Sequence, residues 1–276
     1  MKKVETLRQL QQIQIAIFKD LHDVCSKNNL KVYIVAGTLL GAVRHGGFIP
    51  WDDDLDVCMS RPDYNKLIEV TNGRISDKCR LIDPETENDF KGCIPLVVYE
   101  NSALYSEQFR ENENLNIGIS IFVFDGVPKT TIGRYIYYKK MYILRAEHAL
   151  CRANFKNVNT KIARLVGPIL SPFFKSKSVW KYKKKILKFQ QKYPYENSTL
   201  ISTNVDCGPD REVCLKEEFE VPVEINFEGI KAETFSCYKK YLTNYYGDYM
   251  TPPPENARMP KHSVTADIEE SFNFDL

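Results

Sequence analysis

Four aspartates crowd into the stretch Trp51-Asp-Asp-Asp-Leu-Asp-Val57. Asp54 and Asp56 are two residues apart, and on an extended strand that spacing sends both carboxylates to one face. Two adjacent carboxylates repel each other unless a cation sits between them. Hard oxygen ligands select Mg2+ or Mn2+, ions that also favour phosphate oxygens. Upstream, Gly37-Thr38 falls between an apolar run (31–36) that reads as a buried strand and a short helix (38–44). Amides at such a helix start, together with a hydroxyl, suit a phosphate. A metal seat on one side and a phosphate cradle on the other describe metal-assisted phosphoryl transfer. An acidic run alone is ordinarily a solvated loop. Here its attachment to the apolar Leu-Asp-Val-Cys-Met strand after a Gly-Thr turn argues for a site.

Other residues could serve the same chemistry. Arg44, one helical turn beyond the Gly-Thr turn, offers a planar fork of donors to a phosphate. His45 beside it is either a second anion contact, an acid–base group or a structural histidine. Trp51 either stacks on a base or packs beneath the acidic loop. Tyr241, Tyr245, Tyr246 and Tyr249 either form aromatic faces for a quaternary ammonium or pack a terminal helix against the domain.

These side chains need elements to position them. Leu10, Ile13, Ile17, Leu21 and Val24 recur at helical spacing and predict a helix over 4–29. Strands are expected at 31–36, 55–59, 97–99 and 117–124. Ser60-Arg-Pro-Asp63 opens a helix with a cap and an early proline. Basic helices are expected at 130–151 and 174–192, an amphipathic strand at 219–227, and a helix at 234–246, before the Pro-rich stretch 251–255.

The 276 residues, 43 % hydrophobic and 27 % charged, suit one large domain or two modest ones and exclude fibrous or wholly disordered classes. The longest uncharged apolar stretch, 165–174, is ten residues with two prolines, against the roughly 20 that a membrane-spanning helix needs. With no apolar signal core near Met1, a cytoplasmic protein is expected. The eight cysteines contain no Cys-x-x-Cys pair, so reduced thiols are expected in place of structural zinc. Charge is strongly polarised: residues 129–192 carry 17 Lys/Arg against one acid, while the blocks on either side, 51–128 and 193–276, are net acidic. Such a block suits an anionic partner. Residues 156–192 either form a solvated helix pair or lie on the inner face of an anionic membrane, with Ile169, Leu170, Phe173, Phe174 and Trp180 at the interface. No nucleic-acid recognition motif accompanies the charge, so nucleic acid is not expected as a partner.

Gly37-Thr38 followed by Asp54-Leu-Asp-Val57 resembles the signature of the nucleotidyltransferase superfamily. More narrowly, Gly-Thr-Leu-Leu-Gly-Ala-Val-Arg-His-Gly-Gly-Phe-Ile-Pro-Trp-Asp-Asp-Asp-Leu-Asp-Val (37–57) resembles the LicD family, to which the fukutin-related proteins are eukaryotic relatives. The resemblance continues through 119–128, 227–235 and 246–262. It implies an α/β (α+β) fold: a nucleotidyltransferase-like mixed sheet core over 1–128 flanked by helices. Residues 129–276 would then supply a basic helical segment and a C-terminal β/α region, with a β-hairpin, completing the substrate site. It further implies transfer of phosphocholine, or a related phospho-alcohol, from CDP-choline or another CDP-alcohol to a sugar hydroxyl of a cell-surface glycan or its lipid-linked precursor, with CMP leaving.

On that resemblance Asp54 and Asp56 hold the metal, with Asp52 as a further ligand and Asp53 among the catalytic carboxylates. Gly37, Thr38, Arg44, His45 and Trp51 bind the donor, Arg258 contacts phosphate or acceptor, and His262 either does the same or makes a structural hydrogen bond. One departure stands out. The family usually has Ile-Asp-Ile-Phe where this chain has Ile119-Ser-Ile-Phe122, so Ser120 replaces a third carboxylate. A weakened metal site, compensation by Asp125 or Asp53, or an inactive variant would each follow. Two alternatives therefore stand beside the transferase: a nucleotidyltransferase acting on a small molecule, and a non-catalytic glycan- or membrane-binding homologue.

Overall fold

The computed structural model describes residues 1–106, 115–152, 165, 167, 169, 179–203, 205, 210–259 and 264–274. A short strand β1 (Lys2–Val4) precedes helix α1 (Leu7–Lys27). Thr6 caps α1 by accepting from the Gln9 amide, and the Gln9 side chain reciprocates to the Thr6 amide, a capping box that fixes the helix start. The buried face of α1 carries Ile13, Ile17, Phe18 and Leu21, and also two polar residues, Gln11 and Gln14.

Strand β2 (Tyr33–Ile34) is shorter than the expected 31–36, because the chain turns at Ala36 (φ 52°) into helix α2 (Ala36–His45). Gly37 therefore sits inside the first turn of α2, not at the end of a strand. Next come β3 (Asp56–Ser60), α3 (Arg61–Thr71), β4 (Cys79–Ile82), β5 (Leu96–Tyr99), β6 (Ser102–Ser106) and β7 (Gly118–Gly126). Ser60 caps α3 by accepting from the Asp63 amide at 3.1 Å, with Pro62 in the first turn, as its sequence predicts.

Basic helices α4 (Thr131–Arg152) and α5 (Val179–Gln190) follow, then β8 (Leu200–Ser202) and β9 (Cys214–Leu215). Phe219 ends a single helical turn, so the expected 219–227 strand starts only at Pro222. Strand β10 (Pro222–Phe227) pairs with β11 (Ile230–Phe235) through a tight turn in which Glu228 and Gly229 have φ of 53° and 76°. Helix α6 (Tyr238–Tyr246) is shorter than the expected 234–246, since Thr234 and Phe235 are held in β11. Strand β12 (Val264–Ile268) closes a three-stranded sheet, ordered β1-β12-β6.

The main sheet is mixed, in the order β2-β3-β7-β5-β4, with β8 and β9 added along β7. Strands β3 and β7 run parallel, and Asp56 stands in register with Ser120. The remaining pairs are antiparallel. A large core joins α1, the sheet, Phe219, Phe227, Phe235 and Tyr241, while a smaller one gathers Tyr137, Tyr138, Met141 and Ile186 of α4 and α5. The result is a mixed α/β protein. Among the described residues, no helix is long and apolar enough to cross a membrane.

Candidate functional site

Asp52, Asp53 and Asp54 each place a carboxylate oxygen within 4.8 Å of the others. Consecutive residues on a strand point to opposite faces, so this convergence requires an irregular segment, and β3 indeed begins only at Asp56. Asp54 thus precedes the strand, while Asp56 is buried at the start of β3, and Asp52, Asp54 and Asp56 all act on the Tyr246 hydroxyl. Three hard oxygen donors as close together as those of Asp52, Asp53 and Asp54 fit one Mg2+ or Mn2+ ion, and Asp52 and Asp53 are both buried.

The loop that carries the acids is held by its backbone. Gln11 and Gln14 of α1 donate from their side-chain nitrogens to the carbonyls of Asp52 (2.9 Å) and Asp53 (3.0 Å). Upstream, the Glu228 carboxylate at the β10–β11 turn accepts from the Phe48 amide (2.9 Å) and pairs with Arg8 (2.8 Å). Arg8 and the Phe48 amide hold the Glu228 carboxyl below its ordinary range against the opposing effect of burial. Gly41 lets α2 approach this loop, because a Cβ there would lie 2.4 Å from the Gly47 carbonyl oxygen. None of Gln11, Gln14 and Glu228 was singled out by motif. Two glutamines on the apolar face of α1 were the available signal.

The start of α2 meets the acids directly. A Cβ on Gly37 would stand 2.6 Å from Asp52 Oδ2, so the carboxylate rests against the helix N-terminus, where the backbone dipole favours negative charge. Thr38 is buried, and its hydroxyl accepts from the Asp56 amide at 2.8 Å, tying α2 to β3. Thr38 thus positions the strand carrying Asp56. On β7, Ser120 stands beside Asp56 in register, so its hydroxyl occupies the same face of the sheet.

Asp125 does not replace the missing acid. It is 1 % exposed and bound through both oxygens to Arg61, at 2.8 and 2.7 Å. It also lies an odd number of residues from Ser120 along β7, which directs it to the other face.

A cavity of about 340 Å3 opens beside the acids, lined in part by Gly37, Arg44, Trp51, Asp52, Tyr246 and Tyr249. That volume suits a small-molecule ligand. Arg44 is half-buried and donates to the Tyr249 carbonyl at 3.0 Å. The Arg258 guanidinium lies over the Trp51 ring at 5.5 Å, so one face of that indole is already covered. Burial and the neighbouring Arg258 lower the Arg44 pKa, which marks the two guanidiniums as close neighbours. His45 meets Trp51 edge-on, and burial together with Arg44 lowers its pKa, leaving the imidazole neutral at pH 7.

Tyr246 of α6 stands among the carboxylates. Burial raises its pKa most, followed by Tyr245, Asp56, Asp52 and Asp54. Tyr241 is buried edge-on to Phe235 in the core and takes no part in the cavity. His262, the remaining candidate, lies outside the described residues.

The parallel strand pair β3–β7 thus carries Asp56 and Ser120 beside an acidic cluster at a helix start. Residues 29–162 match the LicD/FKTN/FKRP nucleotidyltransferase domain. The lipopolysaccharide cholinephosphotransferase LicD of Haemophilus influenzae is 29 % identical to this chain over 279 aligned positions, 99 % of both proteins. Both comparisons thus find this chain similar to the LicD family. An uncharacterized protein of Rickettsia prowazekii is 55 % identical over 54 residues, 20 % of each chain. One of Rickettsia typhi is 55 % identical over 47 residues, 17 % of this chain and 15 % of its own.

Proposed function

We propose that this chain is a divalent-metal-dependent transferase. It moves phosphocholine, or a related phospho-alcohol, from a CDP-activated donor to a sugar hydroxyl of a surface glycan or its lipid-linked precursor, and CMP leaves. The observation that carries this reading is the cavity lined by Asp52 of the carboxylate cluster, Arg44, Trp51, Tyr246 and Tyr249, with Arg258 over the Trp51 ring. The Haemophilus influenzae relative, alike over 99 % of both chains, supports choline as the alcohol and a lipopolysaccharide sugar as the acceptor.

Asp52, Asp53 and Asp54 would hold Mg2+ or Mn2+, which supplies charge neutralisation on the transferring phosphate and its leaving group. Arg44 and Arg258 grip phosphate oxygens through their donor forks. The amides at Gly37 and Thr38 add the positive end of α2. Tyr246, Tyr249 and Trp51 offer aromatic faces to a quaternary ammonium. In the transfer, the acceptor hydroxyl oxygen bonds to the phosphorus that bears the choline. The bond from that phosphorus to the bridging oxygen breaks, the oxygen departs with CMP, and the hydroxyl proton passes to a carboxylate of the cluster.

The test is CMP release from CDP-choline, CDP-glycerol and CDP-ribitol with Mg2+, Mn2+ or chelator and a purified envelope glycan. Calorimetric Mn2+ binding without nucleotide is measured in parallel. Release with one donor should need the metal and fall by ~10²-fold or more in Asp54→Asn, which should also weaken Mn2+ binding. No release with any donor, together with no Mn2+ binding by the unaltered chain, would overturn the reading. Pyrophosphate release from a nucleoside triphosphate would instead assign a nucleotidyltransferase. A second reading, binding without turnover, is favoured by one observation: a serine, Ser120, stands beside Asp56 where the family resemblance leads one to expect an acid. Nucleotide binding with no product would support it.

A further inference from the structure

Helix α4 has two apolar faces. One packs inward through Tyr137, Tyr138, Met141 and Leu144. The other is exposed: Ile132 is 76 % accessible, Ile136 63 % and Ile143 56 %, with Tyr135 and Tyr142 alongside. At 3.6 residues per turn Ile132, Ile136 and Ile143 fall on one stripe. The outward face of a helix on a water-soluble domain is normally polar, so an isoleucine stripe there calls for a covering.

The surroundings state the chemistry of that covering. Lys139 shares the stripe and lies over Tyr135, and Lys140 borders it over Phe189. Beyond Lys140 a groove of about 900 Å3 runs between α4 and α5, larger than the cavity at the acids. Lys184, Lys185, Lys188 and Lys192 also line it, with Leu144, Leu187 and Phe189 between them. These four lysines are solvent-exposed. Across 129–192 a single acid, Glu147, opposes 17 basic residues. Exposed apolar side chains flanked by lysines match an anionic bilayer, whose acyl boundary takes the isoleucines while headgroup phosphates meet the ammonium groups. A protein partner would have to present an acidic rim around an apolar strip. A lipid surface has that arrangement everywhere.

We infer that the exposed face of α4, with the α5 lysines beside it, docks this protein on an anionic lipid surface. The inference does not depend on the reaction assigned above. It also moves the contact from 156–192, where sequence placed one alternative, to include a helix that precedes that segment.

Flotation of the full chain with vesicles of phosphatidylcholine, alone or mixed with phosphatidylglycerol, tests it at low and physiological salt. The chain should float with the mixed vesicles only, and less at the higher salt. Lys184→Gln/Lys185→Gln/Lys188→Gln should weaken partitioning by about a hundredfold, near fivefold per lysine. Ile132→Ser/Ile136→Ser/Ile143→Ser should lower it by about tenfold or more while keeping the salt dependence. All six positions are exposed, so thermal unfolding should be unchanged in both variants. No flotation with mixed vesicles, equal flotation with both kinds, or flotation unaffected by the isoleucine changes would overturn the inference. So would a dimer in light scattering that the isoleucine variant dissolves, which would assign the face to a second copy.

Discussion

Asp52, Asp53 and Asp54 illustrate how a short sequence segment and its geometry differ. Consecutive acids repel and, on a strand, would diverge; here an irregular loop turns all three carboxylates toward one point. Ser120 bears on the same cluster from β7. A carboxylate introduced there would face Asp56 across a single strand spacing, an arrangement that is destabilising without a counter-charge. Ser120→Asp should therefore lower the unfolding temperature in chelator, and Mg2+ should restore it by a larger margin than in the unaltered chain. An identical Mg2+ response in the two proteins would detach position 120 from the metal-binding cluster.

At the scale of elements, the acids depend on parts remote in sequence. Helix α1 reaches the loop through Gln11 and Gln14, and the β10–β11 turn reaches it through Glu228. A Cβ on Gly47 would lie 2.4 Å from Glu228 Oε1 and 2.8 Å from its carboxyl carbon, and that carboxylate is pinned by Arg8 and the Phe48 amide. Gly47→Ala should thus dislodge Glu228. We expect Gly47→Ala and Glu228→Ala each to destabilise by about 1–2 kcal/mol. The double variant should cost clearly less than their sum, since the clash disappears with the carboxylate. Chemical denaturation of the four proteins reads this coupling, and strict additivity would disprove the clamp. Glu228 lies within the 227–235 part of the resemblance but was given no role, because a hairpin-turn acid is ordinarily solvated and its partners Phe48 and Arg8 lie 180 and 220 residues upstream.

At the scale of the whole molecule, the smaller core joins α4 and α5 around buried charges. His148 donates from Nε2 to the Lys91 carbonyl at 2.9 Å, with Cys93 Sγ at 3.7 Å. Burial pushes its pKa down to about 4; Arg152, Arg145 and Lys183 act in the same direction, and the Lys91 contact opposes them. In the unfolded chain this imidazole binds its proton near pH 6.5, whereas the folded chain keeps it neutral down to about pH 4. Its contribution to stability is therefore complete above pH 6.5 and is lost as pH falls from 6.5 toward 4, by roughly 2–3 kcal/mol in all. His148→Gln should flatten the unfolding free energy across that window. An unchanged slope would show that other groups set it. Because the block around this core is so basic, acid destabilisation would add to charge repulsion already present.

The chain's local chemistry was legible without coordinates wherever a few adjacent residues decide the outcome. Ser60 with Pro62 could only begin a helix, the apolar period of α1 could only bury one face, and the Gly37–Val57 run carried the family resemblance intact. Arg44 and Trp51, read as separate candidates, line one cavity, and Arg258 lies over the Trp51 ring. Long-range geometry decided the rest. Thr38 was read as a phosphate contact, and the structure adds a second role: its hydroxyl accepts from the Asp56 amide. Asp125 looked available, yet Arg61, 64 residues upstream at the start of α3, takes both its oxygens. Thr234 and Phe235 read as helix until β10 gave them strand partners. A side chain's type and its local period are properties of the sequence. Whether a carboxylate faces a metal or an arginine depends on which distant backbone brings a partner within about 3 Å, and only the folded chain fixes that.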